Sequence, residues 1–282
     1  MKVLVTGADG QLGREVVTLL EGAGHDVVAT DQGSLDVTDR GAVLGAVAGL
    51  RPHAVVHTAA WTDVDACETD PDLAFRVNAL AVRHVAEAGR RFAAHICHVS
   101  TDYIFDGTKA APYVEWDPPN PLSVYGRSKL GGERELDPGS TLVRTSWVCG
   151  RHGDNMVKTI LRLARERKEL TFVDDQRGCP TFAGDLAAKI MELVVDRRPG
   201  LFHVTNQGPV SWFEFAREVL ASAGLDPRRV RPVSTAELAP ARPAPRPANS
   251  VLDNAALRLS GLSLLPHHGE PLDRLVAQVR DG

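Results

Sequence analysis

The feature that most constrains the fold is an alternation of short β-branched runs with amphipathic segments through the first 150 residues. Five runs have the composition of buried parallel strands: KVLVT, DVVAT, AVVHT, HICHVS and TLVRT. Segments between them place apolar residues three and four positions apart, which predicts helices with one buried face: QLGREVVTLLEGAG, DRGAVLGAVAGL and PDLAFRVNALAVRHVAEAGRR. This alternation is typical of right-handed βαβ units, so the sequence predicts an α/β fold with a Rossmann-type doubly wound parallel sheet.

The pattern changes beyond Trp147, where helices are predicted near 154–168, 183–196 and 211–223. Between the first two lies VDDQRGCPT, which has the composition of a loop, and the proline-rich segment 239–250 is predicted to be another. We expect residues 1–147 to form a nucleotide-binding domain, to which segments from roughly 171–205 return. Residues 148–282 are expected to form most of a smaller C-terminal α/β domain that binds the substrate.

Composition and charge exclude several classes of protein. A net charge of -4 gives no basic surface for a phosphate backbone, so no nucleic-acid partner is expected. The four cysteines lie far apart without a Cys-x-x-Cys pair, which argues against a zinc site and a disulfide scaffold and favours a reducing compartment. No stretch reaches the roughly 18 apolar residues of a membrane span, so we expect no membrane partner and a cytoplasmic location.

A glycine-rich turn follows the first predicted strand. Gly7, Gly10 and Gly13 lie at the point where that strand gives way to a helix. Glycine there permits unusual backbone angles and close approach of a pyrophosphate, while the helix N-terminus offers N–H donors. The turn therefore predicts a dinucleotide-binding site.

Other residues of this site are predicted from the ends of the next strands. Asp31 ends the second strand, where a carboxylate can accept hydrogen bonds from an adenosine ribose, although it could instead cap its own turn. Asp36 and Val37 are candidates to cover the adenine. Ala59 and Ala60 follow the third strand and are small enough to let a dinucleotide pass.

Tyr125 and Lys129 are four residues apart in YGRSK. If a helix begins at Ser123 or Val124, both side chains project from one face. An ammonium near a phenol stabilises phenolate, so we expect a lowered pKa that makes Tyr125 a proton donor and acceptor. The alternative for an isolated pair is a surface tyrosine beside a solvated lysine.

Seven segments together carry a resemblance that spans nearly the whole chain: GQLGRE, AAWTDVDACE, STDYIFDG, YGRSKLGGE, VRTSWV, DDQRGCPT and RPANSVLD. The sequence resembles the dTDP-4-dehydrorhamnose reductase family of the extended short-chain dehydrogenase/reductase superfamily. That resemblance implies NAD(P)H-dependent reduction of the C4 keto group of dTDP-4-dehydro-L-rhamnose. It also implies a cofactor-binding N-terminal part and a sugar-nucleotide-binding C-terminal part.

The resemblance also assigns residue roles. Tyr125 becomes the proton donor, Lys129 its tuning cation and Thr101 the assisting hydroxyl. Three further residues, Gln11, Leu12 and Trp61, join the cofactor set. Substrate contacts are implied for Thr101, Asp102, Trp147, Asn155, Gln176, Pro180, Thr181 and Arg246, of which Arg246 suits a diphosphate because its fork bonds two oxygens.

Departures from the family pattern leave the exact substrate open. Trp61, Cys149 and Met156 stand where the family commonly has other residues, which puts the exact sugar in doubt. The resemblance therefore leaves open a 4-ketoreductase for a related dTDP-deoxysugar or a non-catalytic regulatory subunit. NADPH and NADH both remain candidates, and a homodimer remains open.

A metal site is not expected. Glu15 has no evident second acid, with Gly184 and Asp185 equivocal, so Mg²⁺ remains only an option. His267 and His268 have no ligand spacing and are expected at the surface.

Overall fold

A six-stranded parallel sheet forms the centre of the computed structural model, which describes residues 1–238 and 240–280. In spatial order the strands are β10 (Gly200–His203), β5 (Thr141–Thr145), β4 (His95–Thr101), β3 (Ala54–His57), β1 (Lys2–Thr6) and β2 (Asp26–Thr30). The four inner strands are almost entirely buried, as expected for a parallel sheet, while the edge strands β2 and β10 are partly exposed. The predicted doubly wound fold is confirmed.

Helices cover both faces of the sheet. In the first half they are α1 (Gln11–Gly22), α2 (Arg40–Leu50), α3 (Val64–Thr69), α4 (Pro71–Phe75), α5 (Ala81–Phe92) and α6 (Val124–Glu133). Apolar side chains of α1 pack with those of a later helix, α8 (Ala183–Val195), on one face. On the other face α2 packs with α5.

The segment 71–91 differs from the single predicted helix. It forms α4, a π-helical turn (Arg76–Leu80) and α5 in succession. The turn brings Asn78 into tertiary contacts, where its side chain accepts from Trp61 N (2.8 Å) and donates to Ser128 Oγ (3.0 Å). These contacts give a physical reason for the π-helical turn between α4 and α5. The spacing of apolar residues does not reveal it.

Short elements build the second half. Its remaining strands are β6 (Val148–Cys149), β7 (Leu170–Val173), β8 (Arg177–Gly178), β9 (Thr181–Phe182), β11 (Val210–Ser211) and β12 (Val230–Val233), which pair as β6 with β9, β7 with β12 and β8 with β11. The helices are α7 (Met156–Glu166), α9 (Trp212–Ser222), α10 (Ala255–Leu259) and α11 (Gly269–Arg280). The segment VDDQRGCPT, which the sequence predicts to be a loop, therefore contains β8 and the first residue of β9.

Two segments of the second half lie with the first. Helix α8 packs on α1, and β10 extends the central sheet beside β5. Strand β7, by contrast, pairs with β12 in the second half. Residues 240–250 contain no helix or strand apart from a single bridge at Asn249, while residue 239 of the predicted loop lies outside the described residues.

The structure places His268 and the four cysteines, for which the sequence predicted surface and buried positions respectively. His268 is buried, and its Nε2 lies 2.6 Å from Glu218 Oε2. This contact links the start of α11 to α9. His268 is therefore not a surface residue. All four cysteines are buried and unpaired. Among the described residues, no helix combines the length and the hydropathy needed to cross a bilayer.

Candidate active site

Two adjoining cavities lie at the carboxyl ends of the central strands, between β1 and β3. The chain continues from β1 to β2 on one side of this point and from β3 to β4 on the other. Ligands of doubly wound sheets bind at this switch point. One cavity has a volume of about 370 Å³ and contains Tyr125 in its wall. The other has about 440 Å³ and contains Asp31. Both are lined by Gly7, Gly10, Thr58 and Ala60, so they form one elongated cleft.

The glycine turn forms the floor of this cleft. Gly7 has φ +72°, and a Cβ there would lie 2.6 Å from Ala59 N, so no other residue fits without movement. At Gly13 a Cβ would lie 2.2 Å from Gly7 O, which shows how closely α1 packs on β1. Gly10 is the N-cap residue directly before α1, and no side chain caps the helix there. The N–H groups of the first turn are therefore free for a pyrophosphate. The turn fits a bound dinucleotide.

The 440 Å³ cavity gathers the residues predicted to hold the adenosine half. Asp31, Asp36, Val37, Ala59 and Trp61 all line it. The Asp31 carboxylate accepts from Ser34 N and Ser34 Oγ, both at 2.8 Å, which lowers its pKa. It therefore caps its own turn, as the alternative interpretation proposed, while still lining the cavity.

Tyr125 and Lys129 are brought to the other cavity by α6. Ser123 caps this helix, since its Oγ accepts from Gly126 N at 3.1 Å, so the predicted start is correct. Both side chains are buried and both line the 370 Å³ cavity. Lys129 Nζ donates to Val99 O at 2.7 Å and lies 3.4 Å from His98 Nε2, contacts that tie its ammonium to β4.

Burial dominates the protonation equilibria here. It lowers the pKa of Lys129 to about 8, since little solvent stabilises the ammonium. It raises the pKa of the Tyr125 phenol, against a lowering by the Thr101 hydroxyl. The expectation of a lowered Tyr125 pKa is therefore wrong for this structure, because loss of solvent around the phenolate outweighs its polar neighbours.

Thr101 lies at the end of β4 and lines the cavity beside Tyr125. Its Oγ1 donates to Asp102 Oδ1 at 3.0 Å. Asp102 itself is only 2% exposed and lies behind Thr101, outside the linings of both cavities. Burial raises the pKa of its carboxyl to about 7.

The remaining residues predicted to contact substrate are divided. Trp147 lines the 370 Å³ cavity. Asn155 caps α7 and donates to Gln11 Oε1 at 3.0 Å, which links that helix to the glycine turn. Others lie outside both linings, with Gln176 donating to Thr235 Oγ1 and both Pro180 and Thr181 buried.

Arg246 is held by a carboxylate of the first half. Its Nη1 and Nη2 donate to the two oxygens of Asp65 at 2.7 and 2.8 Å. Asp65 also accepts from Ala244 N at 3.0 Å. The Arg246 side chain is 8% exposed, so its fork is engaged within the protein and lies outside both cavity linings.

Several cavity residues were missed by the sequence reasoning. Five of them lie at or after the carboxyl end of a strand and one begins β6: Thr58, Thr62, Ser100, Thr145 and Ser146, and then Val148. The signal available was position, because the carboxyl ends of parallel strands meet at one edge. Ser100 Oγ and Thr145 Oγ1 are buried without a hydrogen-bond partner, which marks them as polar groups of the site.

The residues considered for Mg²⁺, Glu15, Gly184 and Asp185, line a common cavity of about 190 Å³, in which each acid has a partner within the protein. Glu15 has His152 as a neighbour at 3.9 Å, while Asp185 accepts from Asn206 at 2.7 Å and pairs with Arg274. Within 1–238 and 240–280, no three His, Cys, Asp or Glu side chains are placed to hold a metal ion together.

The fold and the cavity define a class of protein. A parallel sheet with a glycine turn at the first βα junction, beside a Tyr-x-x-x-Lys helix face, is the architecture of an extended short-chain dehydrogenase/reductase. A family model described as the RmlD substrate binding domain matches residues 1–281. The chain belongs to this family, the dTDP-4-dehydrorhamnose reductase family, and the resemblance drawn from its motifs is confirmed.

Individual relatives are similar over nearly the whole chain. The dTDP-4-dehydrorhamnose reductase of Streptomyces griseus is 44% identical over 273 residues, covering 94% of this chain and 89% of the relative. A dTDP-4-keto-6-deoxy-D-glucose reductase of Streptomyces niveus is 41% identical over 268 residues, covering 94% and 92%. The crystal structure of the Bacillus anthracis dTDP-4-dehydrorhamnose reductase in complex with NADP is 38% identical, with a TM-score of 0.93 and coverage of 98% and 99%.

Proposed function

We propose that the protein reduces the C4 keto group of dTDP-4-dehydro-L-rhamnose to give dTDP-L-rhamnose. The observation that carries this proposal is the meeting of Tyr125, Lys129 and Thr101 on one cavity whose floor is the glycine turn. A phenol, an ammonium and a hydroxyl at one end of a dinucleotide cleft suit the reduction of a carbonyl. The names of the relatives support the choice of sugar nucleotide.

The residues of the chain have distinct tasks in this reaction. A reduced nicotinamide dinucleotide, NADPH or NADH, supplies the hydride when bound. Tyr125 gives its proton to the oxygen of the reacting carbonyl, and the Thr101 hydroxyl rotates away from Asp102 to donate a hydrogen bond there. Lys129 is fixed by Val99 O, and its charge stabilises the oxyanion and the phenolate as they form.

The cleft also positions the dinucleotide and the sugar nucleotide relative to each other. The glycine turn binds the pyrophosphate, and Ala59 and Ala60 allow the dinucleotide to extend between the two cavities. Burial of Tyr125 excludes water, which keeps the phenol protonated until the carbonyl accepts charge. Positioning of this kind is a large part of catalysis between two bound reactants.

The experiment that tests this function is an assay with purified protein, NADPH or NADH, and a panel of dTDP-4-keto sugars. We expect steady oxidation of the reduced cofactor with dTDP-4-dehydrorhamnose, with a product that co-migrates with dTDP-L-rhamnose. Assaying the protein with each cofactor shows whether it prefers NADPH or NADH, which the sequence leaves open. An absence of cofactor oxidation with every sugar of the panel would refute the proposal.

A second candidate is supported by the relative from Streptomyces niveus, whose name gives a different 4-keto sugar. Trp61 and Cys149, which depart from the family pattern, do not line the 370 Å³ cavity: Trp61 lines the 440 Å³ cavity, and Cys149 is buried in the core of the second half. The same panel separates the two: a higher kcat/KM with dTDP-4-keto-6-deoxy-D-glucose would favour this alternative. The cytoplasmic location, the homodimer and the domain boundary at residue 147 stay predictions.

A further inference from the structure

Two buried histidines that have no task in the proposed reaction lie in one row across the central sheet. His57 on β3 is paired in register with Thr6 on β1 and with His98 on β4. Partners in a parallel ladder project to the same face of the sheet, because side chains alternate along each strand. Thr6 Oγ1 lies 2.7 Å from His57 Nδ1, and the His57 ring stacks on that of His98 with centroids 5.2 Å apart. The sheet itself therefore fixes the His98 ring.

The His98 ring faces the ammonium of Lys129. Its Nε2 lies 3.4 Å from Lys129 Nζ, which also donates to Val99 O at 2.7 Å. Burial lowers the pKa of His98 well below its usual range, and the charge of Lys129 lowers it further, so the ring is neutral. A neutral imidazole keeps a lone pair on one nitrogen, which can accept a hydrogen bond from an ammonium.

The other groups around Lys129 supply little charge. Glu133, one turn further along α6, raises the pKa of Lys129 against the larger lowering by burial, but its carboxylate is bonded to Arg144 at 3.0 and 2.7 Å. Tyr125 and His57 are uncharged at neutral pH, because burial raises the pKa of the phenol and lowers that of the imidazole to about 3. Three further titratable groups act on the Tyr125 phenol: Asp102, Tyr103 and Cys67. Among residues 1–238 and 240–280, no carboxylate pairs with the Lys129 ammonium, so its charge depends on neutral acceptors.

We propose that His98 is a positioning residue whose Nε2 holds the Lys129 ammonium in place and keeps it protonated inside the site. The ring acts through Lys129, since it lies outside the linings of both cavities. Its effect on the rate rests on the proposed function, in which the charge of Lys129 stabilises the phenolate of Tyr125. Its effect on Lys129 depends on no substrate.

The test compares three variants of His98 with a matched control, His95→Leu. His98→Leu and His98→Phe remove the acceptor, and phenylalanine keeps a ring for the stack, whereas the amide oxygen of His98→Gln can replace Nε2. His95 begins the same strand, and its Nε2 lies 2.7 Å from Thr141 Oγ1, so the control removes a comparable contact.

Two measurements are made on each variant. The first is an NMR titration of lysine side chains labelled with ¹³C and ¹⁵N, recorded without any ligand, in which the Lys129 signal is identified by its absence in Lys129→Met. The second is the pH dependence of kcat with dTDP-4-dehydrorhamnose and NADPH.

We expect the pKa of Lys129, about 8 in the unaltered protein, to fall by about one pH unit in His98→Leu and His98→Phe. The reason is that the buried ammonium loses an acceptor that solvent does not replace. His98→Gln should recover part of this fall, and His95→Leu should leave the pKa unchanged. Because the ammonium is the active form, kcat falls as the pH rises through this pKa. The alkaline limb of the kcat profile should therefore move to lower pH in the two apolar variants.

Contrary results are distinct. An unchanged Lys129 pKa in His98→Leu or in His98→Phe would overturn the proposal, the second by assigning the effect to the ring and not to its nitrogen. An equal fall in His98→Gln would also remove the acceptor role, and a fall in pKa without movement of the alkaline limb would remove the link to the rate. If the unaltered protein reduces no dTDP-4-keto sugar, the proposed function fails, whereas the NMR titration still decides whether His98 keeps Lys129 protonated.

Discussion

At the scale of residues, the site depends on three side chains that the sequence places at strand and helix ends. Tyr125 and Lys129 could be predicted because they share a helix, so their spacing alone fixes a common face. The orientation of Arg246 could not, because its partner Asp65 lies 181 residues away in the chain. The raised pKa of Tyr125 could not be predicted either, because it results from burial, and burial depends on the whole fold.

Replacing Tyr125 by Phe should lower kcat by a factor on the order of 10² to 10⁴, since a positioned acid is lost while the ring remains. Initial rates of NADPH oxidation measure this. Tyr103→Phe is the matched control, because its ring packs edge-on against that of Tyr125 with centroids 5.9 Å apart. Full activity in Tyr125→Phe would remove it from the reaction.

The buried Asp102 carboxyl predicts a pH-dependent stability. Burial raises its pKa from the ordinary value of 3.8 to about 7, so the folded state binds this proton more tightly than the unfolded state does. Stability is therefore lost as the pH rises from about 4 to about 7. Asp102→Asn removes this loss, and we expect the variant to gain up to about 4 kcal/mol relative to the unaltered protein between pH 4 and pH 8. Melting temperatures at the two pH values measure this, and a pH-independent difference would contradict it.

At the scale of elements, the strands and helices of the first half follow from their periodicity. The sixth strand, β10, was missed because its sequence GLFH is too short to display alternation. The short strands β8 and β9 were missed for the same reason. They exist through partners that lie elsewhere in the chain, so tertiary pairing decides them.

The packing of α1 on β1 gives a prediction at this scale. Gly13→Ala places a methyl group 2.2 Å from Gly7 O, so helix and turn must separate. We expect a loss of about 1 to 3 kcal/mol of stability and weaker NADP binding, measured by thermal unfolding and by titration. Gly45→Ala in α2 is the control, since nothing lies within 4 Å of its new methyl group and helix propensity should add about 0.5 to 1 kcal/mol. Equal melting temperatures and NADP affinities for the two variants would contradict the account.

At the scale of the whole molecule, the second half of the chain reaches back to the first. Helix α8 and β10 complete the central layers, while the segment 240–250 is fastened to α3 through Asp65. The proline content predicts the irregular backbone of that segment. It does not predict the point of attachment, which depends on a partly buried ion pair.

Asp65→Asn should release this segment, because Arg246 loses its charged partner and remains largely buried. Cleavage within 240–250 by proteinase K should become about tenfold faster, measured by mass spectrometry. Glu169→Gln breaks the exposed pair with Arg231 and serves as the control, for which we expect no change. Unchanged cleavage in Asp65→Asn would show that the ion pair does not hold the segment.

The central claim is that a hydride passes from a nicotinamide in the cleft to C4 of the sugar while Tyr125 protonates the oxygen. NMR spectroscopy of the product formed from dTDP-4-dehydrorhamnose and NADPH deuterated at the transferring position tests it most directly. We predict one deuterium at C4 of the hexose and none elsewhere. A product without deuterium, or with deuterium at another carbon, would contradict the account.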